Sequence, residues 1–202
     1  MMTAYKHAPA QKKYLMTTSD QQLIATTQAW LKSFVIDYSI CPFAKREADR
    51  GSIHFVASHD TDLEDCLANL MLECDRLNSD AGIETTLIIY DQAFICFDDY
   101  LDFVELAEEL LLVEDYEGIY QLAGFHPDYC FEGAKQDDAA NYTNRSPYPM
   151  LHLLREASLE KAIDAYPDPE AIPERNIKLL RELGLANVKS LLAACYPVKM
   201  DN

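Results

Sequence analysis

TTLIIY, residues 85–90, joins β-branched, aliphatic and aromatic side chains in one unbroken run. Branching at Cβ restricts side-chain rotation in a helix but packs well on a pleated surface, so the run predicts a buried strand. Outward from it the chain alternates. On the amino side, Gly51 opens a short strand at 52–57. A helix capped by Asp60 lies between the two, with Leu63, Leu67, Leu70, Met71, Cys74 and Leu77 on its inner stripe. On the carboxyl side, a helix over about 99–113 leads to a third strand at 119–123. Strand, long helix, strand, long helix, strand is the rhythm of an α/β layer with crossover connections.

An N-terminal helix begins at Ser19 or Asp20 and carries Leu23, Ile24, Thr27, Trp30, Leu31, Phe34, Val35 and Tyr38 at helical spacing. It must stop before Pro42, whose ring disfavours helical geometry at Cys41. Pro149 stands where a further helix can start, with Leu151, Leu154 and Ala157 inward. Gly184 separates helices at 173–183 and 186–195. The expected fold is α/β: a small three- to four-stranded, mostly parallel sheet with crossover helices, wrapped by N- and C-terminal helices. The expected organisation is a flexible leader (1–18), a single α/β domain (19–185) and a C-terminal helical tail (186–202).

Against 17 Lys and Arg stand 34 Asp and Glu, a formal net charge of -17. Such a surface repels phosphate backbones and anionic lipid, which argues against nucleic-acid and membrane partners. No stretch approaches the roughly twenty apolar residues of a membrane helix, and the first residues show no signal-peptide pattern. The six cysteines (Cys41, Cys66, Cys74, Cys96, Cys130, Cys195) have no CxxC spacing. Reduced thiols and a cytoplasmic location are expected.

Ligands of open α/β sheets bind beyond the carboxyl ends of the strands. Those ends are Ser58 and His59, Tyr90 and Asp91, and Gly124, Phe125 and His126. From the last departs the polar stretch GFHPDYCFEGAKQDDAANYTNRSPYPMLHLLRE (124–156). A long loop in a compact domain is usually functional or disordered, and the recurring Tyr and Pro argue against disorder.

Within it, His126 is a candidate acid/base group oriented by Asp128 or Asp138; the structural alternative is a histidine bonded to backbone. Arg145, with Asn144 and Ser146, is a candidate anion site, because its planar fork grips a carboxylate or phosphate at two points. Its structural alternative is a capping and tethering cluster. Tyr148 and His152 complete the candidate substrate-binding set. Cys41, ahead of Lys45 and Arg46, is a reserve nucleophile, although a helix C-terminus does not favour a thiolate. A metal site would draw on His126, Asp128, Asp137, Asp138, His152, His54 or His59, but the spacing fits no HExxH, CxxC or EF-hand pattern, and no metal ligand is assigned. Nor is there a GxGxxG, a GxxxxGK[ST] or a GxSxG.

ICPFA (40–44), YQLAGFHPDY (120–129) and NRSPYPMLHLLRE (144–156) give the chain a further handle. Through them it resembles a family of short bacterial proteins catalogued as a domain of unknown function, from about Trp30 to about Arg181. The resemblance implies a bacterial cytoplasmic protein whose three motifs share one functional surface; it implies no activity and no cofactor. The expected function is a small enzyme acting on an anionic metabolite. The alternatives are a non-catalytic protein binding a metabolite or partner through the same loop, and a divalent-metal protein using His126, His152 and one or two aspartates. The cofactor and the oligomeric state are not specified by the sequence.

Overall fold

The computed structural model describes residues 18–197. The expected leader lies outside the described residues, apart from Thr18, which opens α1 (Thr18–Trp30). α1 runs on into a π-helical turn, Leu31–Ile36, and is followed by α2 (Ala44–Arg50). β1 (Ile53–Ser58), α3 (Leu63–Ser79), β2 (Thr85–Tyr90), α4 (Phe97–Val113) and β3 (Tyr120–Phe125) give the expected alternation. After a loop holding one 3₁₀ turn, Ala139–Thr143, come β4 (Met150–Arg155), α5 (Glu156–Asp164), α6 (Ile172–Leu183) and α7 (Leu185–Ala193).

The strand order is β1-β2-β4-β3. β1 and β2 are parallel, with Ile53 opposite Thr85 and Ser58 opposite Tyr90. β4 is antiparallel to both β2 and β3. The sheet is therefore mixed, and the expectation of a mostly parallel sheet is corrected. β1, β2 and β3 do point the same way, and β4 runs back between two of them.

The helix expected from Pro149 is also corrected: residues 150–155 are a strand, and the helix starts at Glu156. Without β4, β2 and β3 would carry unpaired inner edges, and their backbone groups would need other partners. A strand between them satisfies both ladders. Its alternation then buries Met150 on one face and Leu151 and Leu153 on the other.

Each face is covered by helices, giving three layers. α3 and α4 place Cys66, Leu70, Cys74, Tyr100, Phe103 and Ala107 against Ile88, Tyr90, Leu122, Leu151 and Leu153. On the opposite face Leu23, Trp30 and Phe34 join Leu180, Val188 and Cys195 over Leu87, Ile89 and Met150. Segments of the expected tail thus pack into the same core as α1. The cap of α3 is Asp62, whose side chain accepts from the Glu64 N–H. Asp60, expected in that role, accepts instead from the Ser58 hydroxyl at 2.9 Å. Among the described residues no helix is long and apolar enough to cross a membrane.

Candidate functional site

The polar loop after β3 is wired to its own main chain. His126 is 1% exposed. Its Nε2 lies 2.9 Å from the Phe94 carbonyl, and its Nδ1 lies 3.0 Å from the Asp128 main-chain nitrogen. A carbonyl only accepts and an amide N–H only donates, so Nε2 carries the proton and the ring is neutral. Burial lowers its pKa, the Phe94 carbonyl partly opposing. Asp128 contributes its N–H where an orienting carboxylate was expected. Asp138 caps the 3₁₀ turn and receives Arg181, whose hydrogen bonds hold its carboxyl at about 2.

Arg145 is 8% exposed. Its Nε donates to the Tyr129 carbonyl at 3.0 Å, and its Nη2 to the Gln136 carbonyl at 3.0 Å and side chain at 3.2 Å. The guanidinium sits 4.9 Å from the centre of the Tyr142 ring, and the Arg145 carbonyl receives the Trp30 indole N–H. The fork expected to hold an anion thus holds the loop. Asn144 donates to the Gly124 carbonyl, and Ser146 donates to the Tyr148 carbonyl. The Tyr148 ring meets Tyr196 edge-on.

The other expected site residues lie apart. His152 donates from Nε2 to Thr85 Oγ1 at 2.6 Å, since that hydroxyl donates onward to the Leu153 carbonyl. Burial pushes its pKa down to about 4. It shares the α1 face of the sheet with Met150, while His126 packs on Phe97 and Tyr100 of α4. The two histidines expected to share a metal thus have separate partners, Thr85 for His152 and Phe94 for His126. Among the described residues no group of three His, Cys, Asp or Glu is placed to hold one. Burial pushes the Cys41 thiol up, which works against a stabilised thiolate there.

The carboxyl rim of the parallel pair holds a different constellation. Because Ser58 pairs with Tyr90, the next residues, His59 and Asp91, leave the sheet side by side. His59 Nδ1 is 2.8 Å from Asp91 Oδ1, and its Nε2 is 2.6 Å from Asp20 Oδ1. Ser19 Oγ stands 3.4 Å from the same Nε2. Asp20 lies in the first turn of α1, where the helix dipole favours a carboxylate. With a carboxylate at each nitrogen, the charged form of the ring is favoured. Its pKa is raised, first by the Asp20 hydrogen bond and then by that of Asp91. The His59 side chain keeps 35% exposure.

The strand-end rule puts His59 and Asp91 on this rim, but the sequence motifs point to His59 only as a metal ligand. Asp20 has the sequence signature of a helix cap alone, and no spacing in the sequence links the three. Two residues beyond His59 and Asp91, Thr61 and Ala93 line a cleft of about 300 Å³.

Fold and rim together define a small three-layer α/β protein with a histidine held between two carboxylates at the mouth of its sheet. Within that class, the chain belongs to the family described as Protein of unknown function (DUF1415), which matches residues 22–190. The matched span includes His59 and Asp91 and begins two residues after Asp20. Comparison with curated proteins gives no match, and comparison with solved structures gives none either.

Proposed function

We propose that the chain is a small-molecule enzyme that uses His59 as a general acid. The observation that carries this reading is the line Asp20–His59–Asp91 at the carboxyl rim of β1 and β2. Asp91 fixes the ring through Nδ1 and favours the charged form. Asp20 holds the proton on Nε2 until a substrate group takes its place, and the partly exposed ring then donates. A histidine whose charged form is favoured by a carboxylate at each nitrogen suits an acid better than a base.

The six cysteines are all free thiols, which supports a reducing cytoplasm as the working compartment. The expected anionic metabolite would need Arg145, whose Nε and Nη2 are engaged by Tyr129 and Gln136. Support therefore moves from the loop to the acidic rim.

A second reading has its own observation: the same two hydrogen bonds pin the first turn of α1 to the sheet. Ligand-observed NMR against a panel of small metabolites separates the two, with the His59 ring signals as reporter. The enzyme reading expects a ligand that moves those signals and is converted by the wild-type chain but not by His59→Gln. If ligands bind without touching the His59 signals, and His59→Gln only loosens α1, the pin is its whole role.

A further inference from the structure

The geometry points to a homodimer in which β1 of one copy pairs antiparallel with β1 of a second, joining the two sheets into one. With the order β1-β2-β4-β3, the edges of the sheet are β1 and β3. An edge strand offers unpaired N–H and C=O groups to any strand that can match them, and proteins usually cover or interrupt it.

The two edges differ in this respect. The Glu156 N–H donates to the Ile119 carbonyl, so alternation along β3 turns Tyr120, Leu122 and Gly124 away from β4. There the Tyr120 N–H donates to the Tyr116 carbonyl, and the Gly124 carbonyl accepts from Asn144. The His126 N–H, just beyond, donates to the Asn144 carbonyl. Neighbouring chain thus closes this edge at both ends. At the other edge, the Ser52 carbonyl receives the Thr85 N–H, so His54, Val56 and Ser58 bond to β2 while Ile53, Phe55 and Ala57 turn outward. Among the described residues no hydrogen bond is made by the N–H or C=O of these three. The strand IHFVAS contains no Lys, no Pro and no acid, and its register on β2 runs without a bulge. This edge is unguarded.

The pattern selects a second copy as the occupant. Open groups at Ile53, Phe55 and Ala57 are symmetric about Phe55. A two-fold axis there sets Phe55 against Phe55 of the second copy and Ile53 against its Ala57. Each of these becomes a hydrogen-bonded pair of an antiparallel ladder. Charge favours the same direction. Lys45, Arg46 and Arg50 of α2 precede the strand, and Asp60 and Asp62 follow it. Antiparallel pairing brings the exposed Arg50 of each copy to the level of Asp60 in the other, one residue past His59. The basic end of β1 then meets the acidic end, in a chain whose net charge of -17 otherwise holds copies apart.

Sedimentation velocity of the full chain, up to about 100 µM, should show a monomer–dimer equilibrium. The amides of Ile53, Phe55 and Ala57 should exchange slowly with deuterium in the dimer and fast in the monomer. Ala57→Pro removes an outward N–H that the ladder to β2 does not use, and an edge strand tolerates proline at such a place. That variant should be monomeric with an unchanged circular-dichroism spectrum. Arg50→Glu, at an exposed helical position, should weaken the dimer about tenfold at low salt, and it carries the test if Ala57→Pro does not fold. A wild type that stays monomeric over this range, as it would if the edge took a foreign strand or another part of the same chain, overturns the inference. So does a dimer undiminished in Arg50→Glu, or one that persists in a folded Ala57→Pro, since its interface would then lie elsewhere.

Discussion

His126 and His59 leave the ends of β3 and β1 and are driven in opposite directions by what faces them. A carbonyl and an amide N–H favour the neutral form of His126, while two carboxylates favour the charged form of His59. In a proton-detected titration His59 should titrate above the ordinary value of about 6.5 and His126 below it. Asp91→Asn should bring His59 back down; an unperturbed His59 in the wild type would mean that the bis-carboxylate contact does not persist in solution. Gly124 offers a steric counterpart. A Cβ there would stand 2.7 Å from the Tyr100 hydroxyl, which donates to the Met150 carbonyl. Gly124→Ala should therefore cost about 1–3 kcal/mol in chemical denaturation. In a Tyr100→Phe background the same change should be close to neutral, because the next ring atoms lie 3.5 Å away. Arg145→Lys should lower stability by roughly 1–3 kcal/mol, since a single ammonium cannot reach the carbonyls of both Tyr129 and Gln136. Ligand affinity at the rim should be unchanged by it.

At the level of elements, TTLIIY has the bounds of β2 because its composition admits little else. The inner stripe of α3 was legible for the same kind of reason, as that helix has one buried face. MLHLLR was not. Its apolar positions fit a helix started by Pro149 as well as a strand buried on both faces, and only the gap between β2 and β3 decides between them. The loop misled in another way. Its polar residues drew attention as chemistry, yet a segment with little regular structure must find partners for its own backbone, and His126, Asn141, Asn144 and Arg145 supply them. The Asp20–His59–Asp91 line joins three distant segments, so it exists only once α1 has docked on the rim. If β4 is the inner strand that the topology makes it, its amides should be among the slowest to exchange with deuterium, alongside those of β2. Exchange of 150–155 as fast as that of exposed helix ends would contradict the strand order.

For the whole molecule, the histidines set the pH range over which the fold is most stable. His152, with its pKa near 4, and His126, also lowered, remain neutral in the folded chain where unfolded histidines near 6.5 would take up protons. The unfolded state then binds more protons, so their contribution is full above about 6.5 and is lost as pH falls toward 4. His59 acts in the opposite sense: its raised pKa gives a contribution that is full below about 6.5 and is lost as pH rises through the folded value. Asp138, held at about 2, adds loss only at still lower pH. Stability should therefore decline on the acid side of neutrality well before the carboxylates of this strongly acidic chain begin to titrate. Each proton taken up on unfolding contributes a slope of about 1.4 kcal/mol per pH unit. His152→Gln keeps a donor for Thr85 and removes the titration, so it should flatten the curve between about pH 6.5 and 4 by up to that slope. Urea denaturation of both proteins across this range measures the difference. Parallel curves would show that His152 takes up its proton in the folded chain as readily as in the unfolded one, and that the packing around the middle of β4 is open to water.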